Sequence, residues 1–197
     1  GLMFVARKLS MHRKRISILE IGATLGENYH LLRRAIESEG LDLKLNYVGI
    51  DLDDNAVALA AELHQGDPNF RMLPGDGSDL SRFPDGAFDI VTSNGVVNYV
   101  RDPDLGFKET VRVSRVCTLH QSLISPGEEP YWVTYQGGLE RAIAPTLEYL
   151  ASLLSPFSPL ELFDLNKLWH NFDRSRRTED SDGNILEDID EKMMARK

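Results

Sequence analysis

Residues 18–26 constrain the fold of this chain more than any other stretch. They read ILEIGATLG: an apolar segment that carries Glu20, followed by a glycine turn from Gly22 to Gly26. An amphipathic segment begins at Glu27, so the pattern predicts a buried strand, a tight turn and a helix. Because an acid stands just before the first glycine, the turn suits a cationic ligand and would repel a phosphate. Turns of this kind are common, so the fold prediction also depends on the later segments, which recur at matching intervals.

Apolar and amphipathic segments alternate through the next hundred residues. Further strands are predicted at 45–50, 70–73, 88–92 and 117–124, with helices at 55–64 and 104–115. Short apolar strands that alternate with helices are typical of a parallel sheet covered on both faces. We therefore predict a doubly wound α/β fold with at least five parallel strands. Asp51, Asp76 and Asn94 follow three of these strands, at the carboxyl ends where open α/β sheets bind ligands.

Five short segments, in this order and spacing, resemble a known family. They are EIG at 20–22 with Gly26, VGID at 48–51, GDGSDL at 75–80, FPDGAFDIV at 83–91 and SNGVVNY at 93–99. Over about residues 16 to 124 the chain resembles class I S-adenosylmethionine-dependent methyltransferases, most closely the type-11 methyltransferase domain. The resemblance implies a Rossmann-like sheet of strand order 3-2-1-4-5, and the tail leaves room for an antiparallel edge hairpin.

The same resemblance implies a binding site for S-adenosylmethionine, with S-adenosylhomocysteine as product. Glu20 would hold the ligand ammonium, directly or through water, and the turn would pass beneath the amino acid end, where a Cβ would intrude. Asp51 would accept from the ribose hydroxyls, because two carboxylate oxygens match a vicinal diol. The cofactor-binding residues implied are Glu20, Gly22, Thr24, Gly26, Asp51, Leu52, Asp76, Gly77, Asn94 and Gly95.

Three of these assignments have structural alternatives. The glycines also fit a strand-to-helix turn without a ligand. Asp51 also fits a helix N-cap, although Asp53 or Asp54 lies nearer the helix. Leu52 is expected on one adenine face and Asp76 on the adenine amino group, but the glycines beside Asp76 make it a plausible turn former.

The methyl acceptor is expected on the other side of the transferred methyl. Substrate-side candidates are Asn98, Tyr99, Tyr131 and Trp132. Many relatives carry histidine where Asn98 stands, and an asparagine amide is no base at neutral pH. No catalytic residue is therefore assigned, and alignment of donor and nucleophile is expected to suffice. The acceptor is expected to be a small molecule with an oxygen, nitrogen or carbon nucleophile.

Two departures from the family leave other functions open. Thr24 stands where glycine is common, and a β-branched residue resists positive φ and crowds the ligand. Residues 114–116 replace the usual Pro-Gly-Gly. A non-catalytic binding or scaffold domain is the main alternative. A nicotinamide-dependent oxidoreductase would need G-x-G-x-x-G, which the chain lacks, and Glu20 would face its phosphates.

Composition bounds the partners. A net charge of −9 argues against nucleic acid. No apolar run approaches the roughly 18 residues of a membrane span, and no signal peptide is visible. The single cysteine, Cys117, excludes an intrachain disulfide and fits a reducing, cytoplasmic location. No metal is expected: the histidines are scattered, and the loop-like residues 180–183 lack the bidentate acid of an EF-hand.

We predict one domain over 1–197, divided into three parts. Residues 1–15 form a basic N-terminal helix or arm. Its apolar side chains, Leu2, Phe4, Val5 and Leu9, are expected to pack on the sheet, and a docking arm for an acidic partner is the alternative. Residues 16–125 form the cofactor-binding core. Residues 126–197 form a divergent cap with a predicted helix at 139–154, followed by a charged tail.

Overall fold

Five parallel strands form the central sheet, in the order β3-β2-β1-β4-β5. The strands are β1 Arg15–Ile21, β2 Lys44–Asp51, β3 Phe70–Pro74, β4 Phe88–Asn94 and β5 Ser114–Gln121. The computed structural model describes residues 2–122, 124–125, 127–134 and 141–155. These residues belong to a compact unit, Gly1–Leu160, and the second unit, Glu161–Lys197, lies outside them. The predicted α/β fold and strand order are confirmed, while the single-domain prediction for 1–197 stays a prediction.

Helices follow strands β1, β2 and β4, and one further helix precedes β1. The helices are α1 Leu2–Ser10, α2 Glu27–Ser38, α3 Asp54–Leu63, α4 Pro103–Val113 and α5 Leu147–Leu154. Asp53 caps α3 by accepting from the backbone N–H of Asn55 at 2.9 Å. Asp102 caps α4 by accepting from the backbone N–H of Leu105 at 3.0 Å. Within the described ranges, no helix combines the length and the apolar character needed to cross a membrane.

Alternating side chains of β1 divide the core into two layers. Ile16 and Ile18 lie in a cluster with buried residues of α1, α2 and β2. Leu19 and Ile21 lie in a second cluster, which includes Val91 of β4 and residues that follow β3. Because the strand buries both of its faces, helices and loops must cover the sheet on both sides. This is the doubly wound arrangement that the apolar strands predict.

The helix predicted at 139–154 is wrong at 141–146, and residues 139–140 lie outside the described residues. Arg141–Ala144 instead forms β7, which pairs antiparallel with β6, Tyr131–Thr134. The physical reason is Pro145, which disfavours helical backbone at Ala144 and cannot continue a helix hydrogen-bond ladder. The helix therefore begins only at Leu147, capped by Thr146. The β6-β7 pair is a separate two-stranded sheet, so no antiparallel edge hairpin joins the described part of the main sheet.

The predicted apolar face of α1 is partly wrong, and so is the face of α3 that the helical spacing of Ala56, Leu59, Ala60 and Leu63 predicts. Phe4 of α1 is 57% exposed, because Leu2, Val5 and Leu9 occupy the helix face that packs on the core. On α3, Leu59 and Leu63 are exposed, and the helix packs through Val57 and Ala60 instead. Basic residues near the N-terminus form ion pairs within the chain: Arg7 with Glu39, Arg13 with Asp89 and Lys14 with Asp42.

Candidate functional site

The glycine turn between β1 and α2 is built from alternate residues in left-handed backbone. Gly22, Thr24 and Gly26 have φ angles of +69°, +44° and +80°. The backbone N–H groups of Gly22 and Ala23 donate to the carbonyl of Ile50 at 2.9 and 3.1 Å, which ties the turn to β2. Thr24 is the one non-glycine residue of the described segments with a positive φ. Such a conformation costs on the order of 1–3 kcal/mol and requires surrounding contacts to hold it.

Two acids hold Thr24 in this conformation. Its backbone N–H donates to Oδ2 of Asp51 at 2.9 Å. Its hydroxyl donates to Oε2 of Glu27 at 3.0 Å. A hydroxyl carries one proton, so in this geometry the Thr24 side chain has none left for a ligand carboxylate. The expected resistance of a β-branched residue to positive φ is therefore overcome by contacts on both sides of the residue.

Asp51 ends β2 at the carboxyl edge of the sheet. Besides the contact with Thr24, its Oδ1 accepts from the backbone N–H of Asp53 at 3.0 Å. A carboxylate has about four acceptor positions, so Asp51 retains capacity for two further donors. Helix α3 is capped by Asp53, and Asp51 is not its N-cap. The adjacent Leu52 is 67% exposed, which leaves an apolar surface beside the carboxylate.

The chain's own side chains explain why several positions must be glycine. A Cβ on Gly22 would collide with the side chain of Val96, and a Cβ on Gly26 would lie 2.6 Å from the ring of Phe70. A Cβ on Gly77 would lie 2.5 Å from Ile21. Close packing within the protein, and not ligand approach alone, excludes side chains here. Gly95 differs, because a Cβ there would meet open space. Its φ of +75° is the feature that favours glycine at this position.

Glu20 is covered by protein. Its side chain is 2% exposed, and both carboxylate oxygens accept hydrogen bonds. Oε1 accepts from Nδ2 of Asn28 at 2.5 Å, and Oε2 accepts from the hydroxyl of Tyr47. Burial raises the pKa of the Glu20 carboxyl, although the two hydrogen bonds oppose the shift. Burial and the neighbouring carboxylate raise the pKa of Tyr47. Contact between Glu20 and a ligand ammonium, directly or through water, stays a prediction.

The loop after β3 adjoins Asp51. The N–H of Gly75 donates to the Asp51 carbonyl at 2.9 Å, which places the following Asp76 at the same edge. Oδ1 of Asp76 accepts from the backbone N–H and the hydroxyl of Ser78, both at 2.9 Å. Asp76 therefore forms the turn that the sequence offered as its alternative role. The adenine contact predicted for it stays a prediction.

Hydrogen bonds with the backbone of Ile143 hold Asn98 next to the β6-β7 strand pair. Asn98 is fully buried, donates from Nδ2 to the carbonyl of Ile143 at 2.6 Å, and accepts from Ser122 at 2.6 Å. Ile143 pairs with Trp132, and the neighbouring Tyr131 pairs with Ala144, so β6 lies one strand away from Asn98. Their side chains lie outside the described part of the structure. Tyr99 is half-buried and its N–H donates to Val96 at 2.8 Å. Asn94 is exposed at the end of β4.

The sequence patterns do not single out Asn28, Tyr47 or His120. Parallel register is the signal that would have found Tyr47, since it lies beside Ile18, two positions before Glu20 on the same strand face.

Nε2 of His120 lies 3.1 Å from the Thr110 hydroxyl, whose proton is donated to Phe107, so Nε2 carries the ring proton. Among the described residues, buried Nδ1 of His120 has no partner. Burial lowers the pKa of His120 to about 4.

About half of the sequence matches a known protein family. Residues 19–116 match the family model described as a methyltransferase domain. No curated protein matches the sequence. The described geometry contains no group of three His, Cys, Asp or Glu side chains that could hold a metal ion.

Solved structures share the fold at low identity. An S-adenosylmethionine-dependent methyltransferase from Mesorhizobium loti gives a TM-score of 0.56 at 14% identity, with 80% of this chain and 83% of that chain covered. The [4+2]-cyclase SpnF gives 0.56 at 17%, over 80% and 56%. The methyltransferase CalH, solved with S-adenosylhomocysteine, gives 0.52 at 21%, over 64% and 36%. The chain thus spans about half of the cyclase and about a third of CalH.

Proposed function

Residues 19–116 of the chain belong to the methyltransferase domain family, and we propose that the chain transfers a methyl group from S-adenosylmethionine to a small-molecule nucleophile. The contact between Asp51 and Thr24 is the observation that carries this proposal. It joins the strand-end carboxylate to the glycine turn at 2.9 Å. Two parts of the predicted cofactor site are thereby held in one fixed geometry at the carboxyl edge of the sheet.

The residues at this edge fit the chemistry of the cofactor. Asp51 keeps acceptor capacity for the two hydroxyls of a ribose. Leu52 offers exposed apolar surface for a purine face. Glu20 and Asp51 place negative charge near the turn, which favours a cation and opposes a dinucleotide pyrophosphate. These three side chains therefore support S-adenosylmethionine over a nicotinamide cofactor.

Positioning is the catalytic contribution that these residues support. When bound, S-adenosylmethionine supplies a methyl group already activated by a sulfonium. Asn98 is buried and engaged by Ile143 and Ser122, and its amide accepts no proton at neutral pH. We assign no base, and the chain's part is to align donor and acceptor and to exclude water.

A non-catalytic binding domain is the second candidate. Thr24 has a strained backbone and narrows the turn, and Asn98 is fully buried. By the family resemblance, many relatives carry a histidine at the position of Asn98. The fold is also shared with a protein that is a [4+2]-cyclase, so the architecture alone does not imply methyl transfer. Cofactor binding without turnover would favour this candidate.

Calorimetric titration with S-adenosylhomocysteine tests the proposal directly. We expect saturable binding, and a rise in melting temperature that grows with ligand concentration. Titration with NAD is the control and should give no heat of binding. A protein that binds NAD and not S-adenosylhomocysteine would overturn the proposal. Release of S-adenosylhomocysteine from S-adenosylmethionine, measured across a panel of oxygen, nitrogen and carbon nucleophiles, then separates the enzyme from the binding domain.

We further propose a cytoplasmic location and no nucleic-acid partner. The lone cysteine and the net charge of −9 support these two points. Fractionation of cells that express the protein tests the first, and a filter-binding assay with mixed DNA and RNA tests the second. Recovery in a membrane or secreted fraction would contradict the first, and salt-sensitive retention of nucleic acid would contradict the second.

A further inference from the structure

Asn28 joins the buried Glu20 to the accessible side of the glycine turn. Glu20 is 2% exposed, and both of its oxygens already accept hydrogen bonds from protein donors. Asn28 is half-buried and lies in the first turn of α2, directly after Gly26 and Glu27. Of this pair, Asn28 is the more accessible to a ligand at the turn.

The hydrogen bond to Glu20 fixes the orientation of the Asn28 amide. An ionised carboxylate only accepts, so the group that faces Glu20 must be the NH₂ of Asn28. The carbonyl oxygen, Oδ1, then points away from Glu20. A carboxylate that accepts from one end of an amide increases the negative charge at the other end, because hydrogen bonds in a chain polarise one another. Oδ1 is thus a strengthened acceptor of fixed direction.

We propose that Asn28 Oδ1 accepts the hydrogen bond from the ligand ammonium, with Glu20 and Tyr47 as positioning residues. The inference rests on the proposed function, and it assigns to Asn28 a direct contact with the ammonium, which the family resemblance gives to Glu20 either directly or through water. The Tyr47 hydroxyl occupies the second oxygen of Glu20, which keeps the carboxylate turned toward Asn28. The negative charge of Glu20 still attracts the cation, but through the Asn28 amide.

Comparison of two ligands isolates contacts with the amino acid end of the ligand, which carries the ammonium. S-adenosylhomocysteine carries the amino acid end, and 5′-methylthioadenosine shares the adenosine but lacks that end. Calorimetry of Asn28→Leu should show about a tenfold or larger loss of affinity for S-adenosylhomocysteine, the scale of one hydrogen bond to a charged group. Affinity for 5′-methylthioadenosine should be unchanged. If Asn28→Leu does not fold, Asn28→Ser is the second variant, because it keeps a polar side chain. It too should lower the ratio of the affinity for S-adenosylhomocysteine to the affinity for 5′-methylthioadenosine.

Two further variants separate the effect of the Asn28 amide from the effect of its helix position and from that of Glu20. Asn55→Leu makes the same change at the same position of α3, where Asn55 is likewise second after the cap Asp53, and it should leave the ratio of the two affinities unchanged. Glu20→Gln keeps an acceptor for Asn28, and we expect it to lower the ratio less than Asn28→Leu does.

Three outcomes would overturn the assignment. In the first, Asn28→Leu weakens both ligands equally, which would make Asn28 purely structural. In the second, Glu20→Gln lowers the ratio at least as much as Asn28→Leu, which would return the direct contact to Glu20. In the third, the unmodified protein binds neither ligand, and then the proposed function fails together with this inference.

Discussion

The backbone N–H of Thr24 donates to the carboxylate of Asp51 at 2.9 Å, across the gap between the glycine turn and the end of β2. The two residues are far apart in sequence, and parallel pairing of β1 and β2 brings them together. Asp51 therefore has a structural partner as well as a predicted ligand. A carboxylate that already accepts two backbone donors is also held in position before any ligand arrives, which lowers the ordering cost of binding.

Replacement of Asp51 should reduce both affinity and stability. Asp51→Ala removes the acceptor of two backbone N–H groups, from Thr24 and Asp53. Because this region is accessible to water, we expect a loss of only about 1 kcal/mol in the free energy of unfolding. Affinity for S-adenosylhomocysteine should fall by roughly 1.5–3 kcal/mol. Urea denaturation and calorimetry measure the two effects separately.

Asp53→Ala is the matched control for that variant. It removes the N-cap of α3, which should cost about 1 kcal/mol of stability. Affinity should stay unchanged, since Asp53 is not among the predicted cofactor ligands. Equal loss of affinity in Asp51→Ala and Asp53→Ala would mean that local folding, and not a contact with the ribose, explains the effect of Asp51.

Replacement of Thr24 by glycine should tighten S-adenosylhomocysteine binding. The Thr24 hydroxyl is committed to Glu27, so the side chain acts on a ligand at the turn as an obstacle. Glycine relieves the strain of a φ of +44° but raises the entropy of the unfolded chain by up to about 1 kcal/mol. These effects offset each other, and the free energy of unfolding should change by less than about 1 kcal/mol.

Thr24→Ala separates crowding from hydrogen bonding. Alanine removes the hydroxyl and keeps the backbone strain, so its affinity should lie between those of threonine and glycine. Isothermal titration of the three proteins in one buffer gives the order. If both variants bind more weakly than the unmodified protein, Thr24 contributes a favourable contact and the crowding account is wrong.

Much of the fold could be predicted because strands with two buried faces have a clear sequence signal. β1, β2 and β4 are short apolar runs between polar turns, and their order follows from the family resemblance. The helix predicted at 139–154 is wrong at 141–146 because the apolar residues there fit helix and strand equally well. Pro145 is the residue that decides between them, since it separates β7 from α5.

The site was predictable in position but not in detail. Topology alone places Asp51, Asp76 and Asn94 at one edge, because parallel strands end together. The partners of Glu20 follow from tertiary contacts instead. Tyr47 reaches Glu20 from the neighbouring strand, and Asn28 reaches it from the following helix. Hydrophobic periodicity carries no information about such polar pairs, so neither residue stands out in the sequence.

The glycine at position 22 should be required by packing as well as by its backbone conformation. Gly22→Ala places a methyl group against Val96 and forces an alanine to adopt a φ of +69°. We expect a loss of about 2–4 kcal/mol, from overpacking and left-handed backbone together. Urea denaturation gives the free energy of unfolding of each variant.

A thermodynamic cycle divides that loss between the two causes. In a Val96→Ala background the collision is removed, and Gly22→Ala should then cost only about 1–2 kcal/mol. Gly95→Ala is the reference for the backbone effect alone, because Gly95 has a φ of +75° and open space around it. An unchanged cost in the Val96→Ala background would show that the contact with Val96 contributes nothing.

Acidification should destabilise the protein through His120. Burial lowers the pKa of His120 in the folded chain to about 4, against about 6.5 in an unfolded chain. The unfolded state therefore binds the proton first, and stability falls as the pH drops through the interval from about 6.5 to 4. The contribution of this one group reaches about 3 kcal/mol at pH 4. Carboxyl groups whose pKa is lowered in the folded chain also reduce the stability of the protein as the pH approaches 4, among them Glu39, Asp42, Asp67 and Asp79. The test therefore compares the unmodified protein with a variant.

His120→Gln removes the titrating ring and keeps a side-chain donor for Thr110. Its free energy of unfolding, measured by urea denaturation from pH 7 to pH 4, should fall less steeply than that of the unmodified protein. His30→Gln removes an exposed histidine of α2 and should keep the steeper profile. Parallel profiles for the unmodified protein and His120→Gln would mean that His120 binds a proton equally well in the folded and the unfolded chain. That result would contradict the prediction, which depends on a buried Nδ1 without a partner in the described part of the chain.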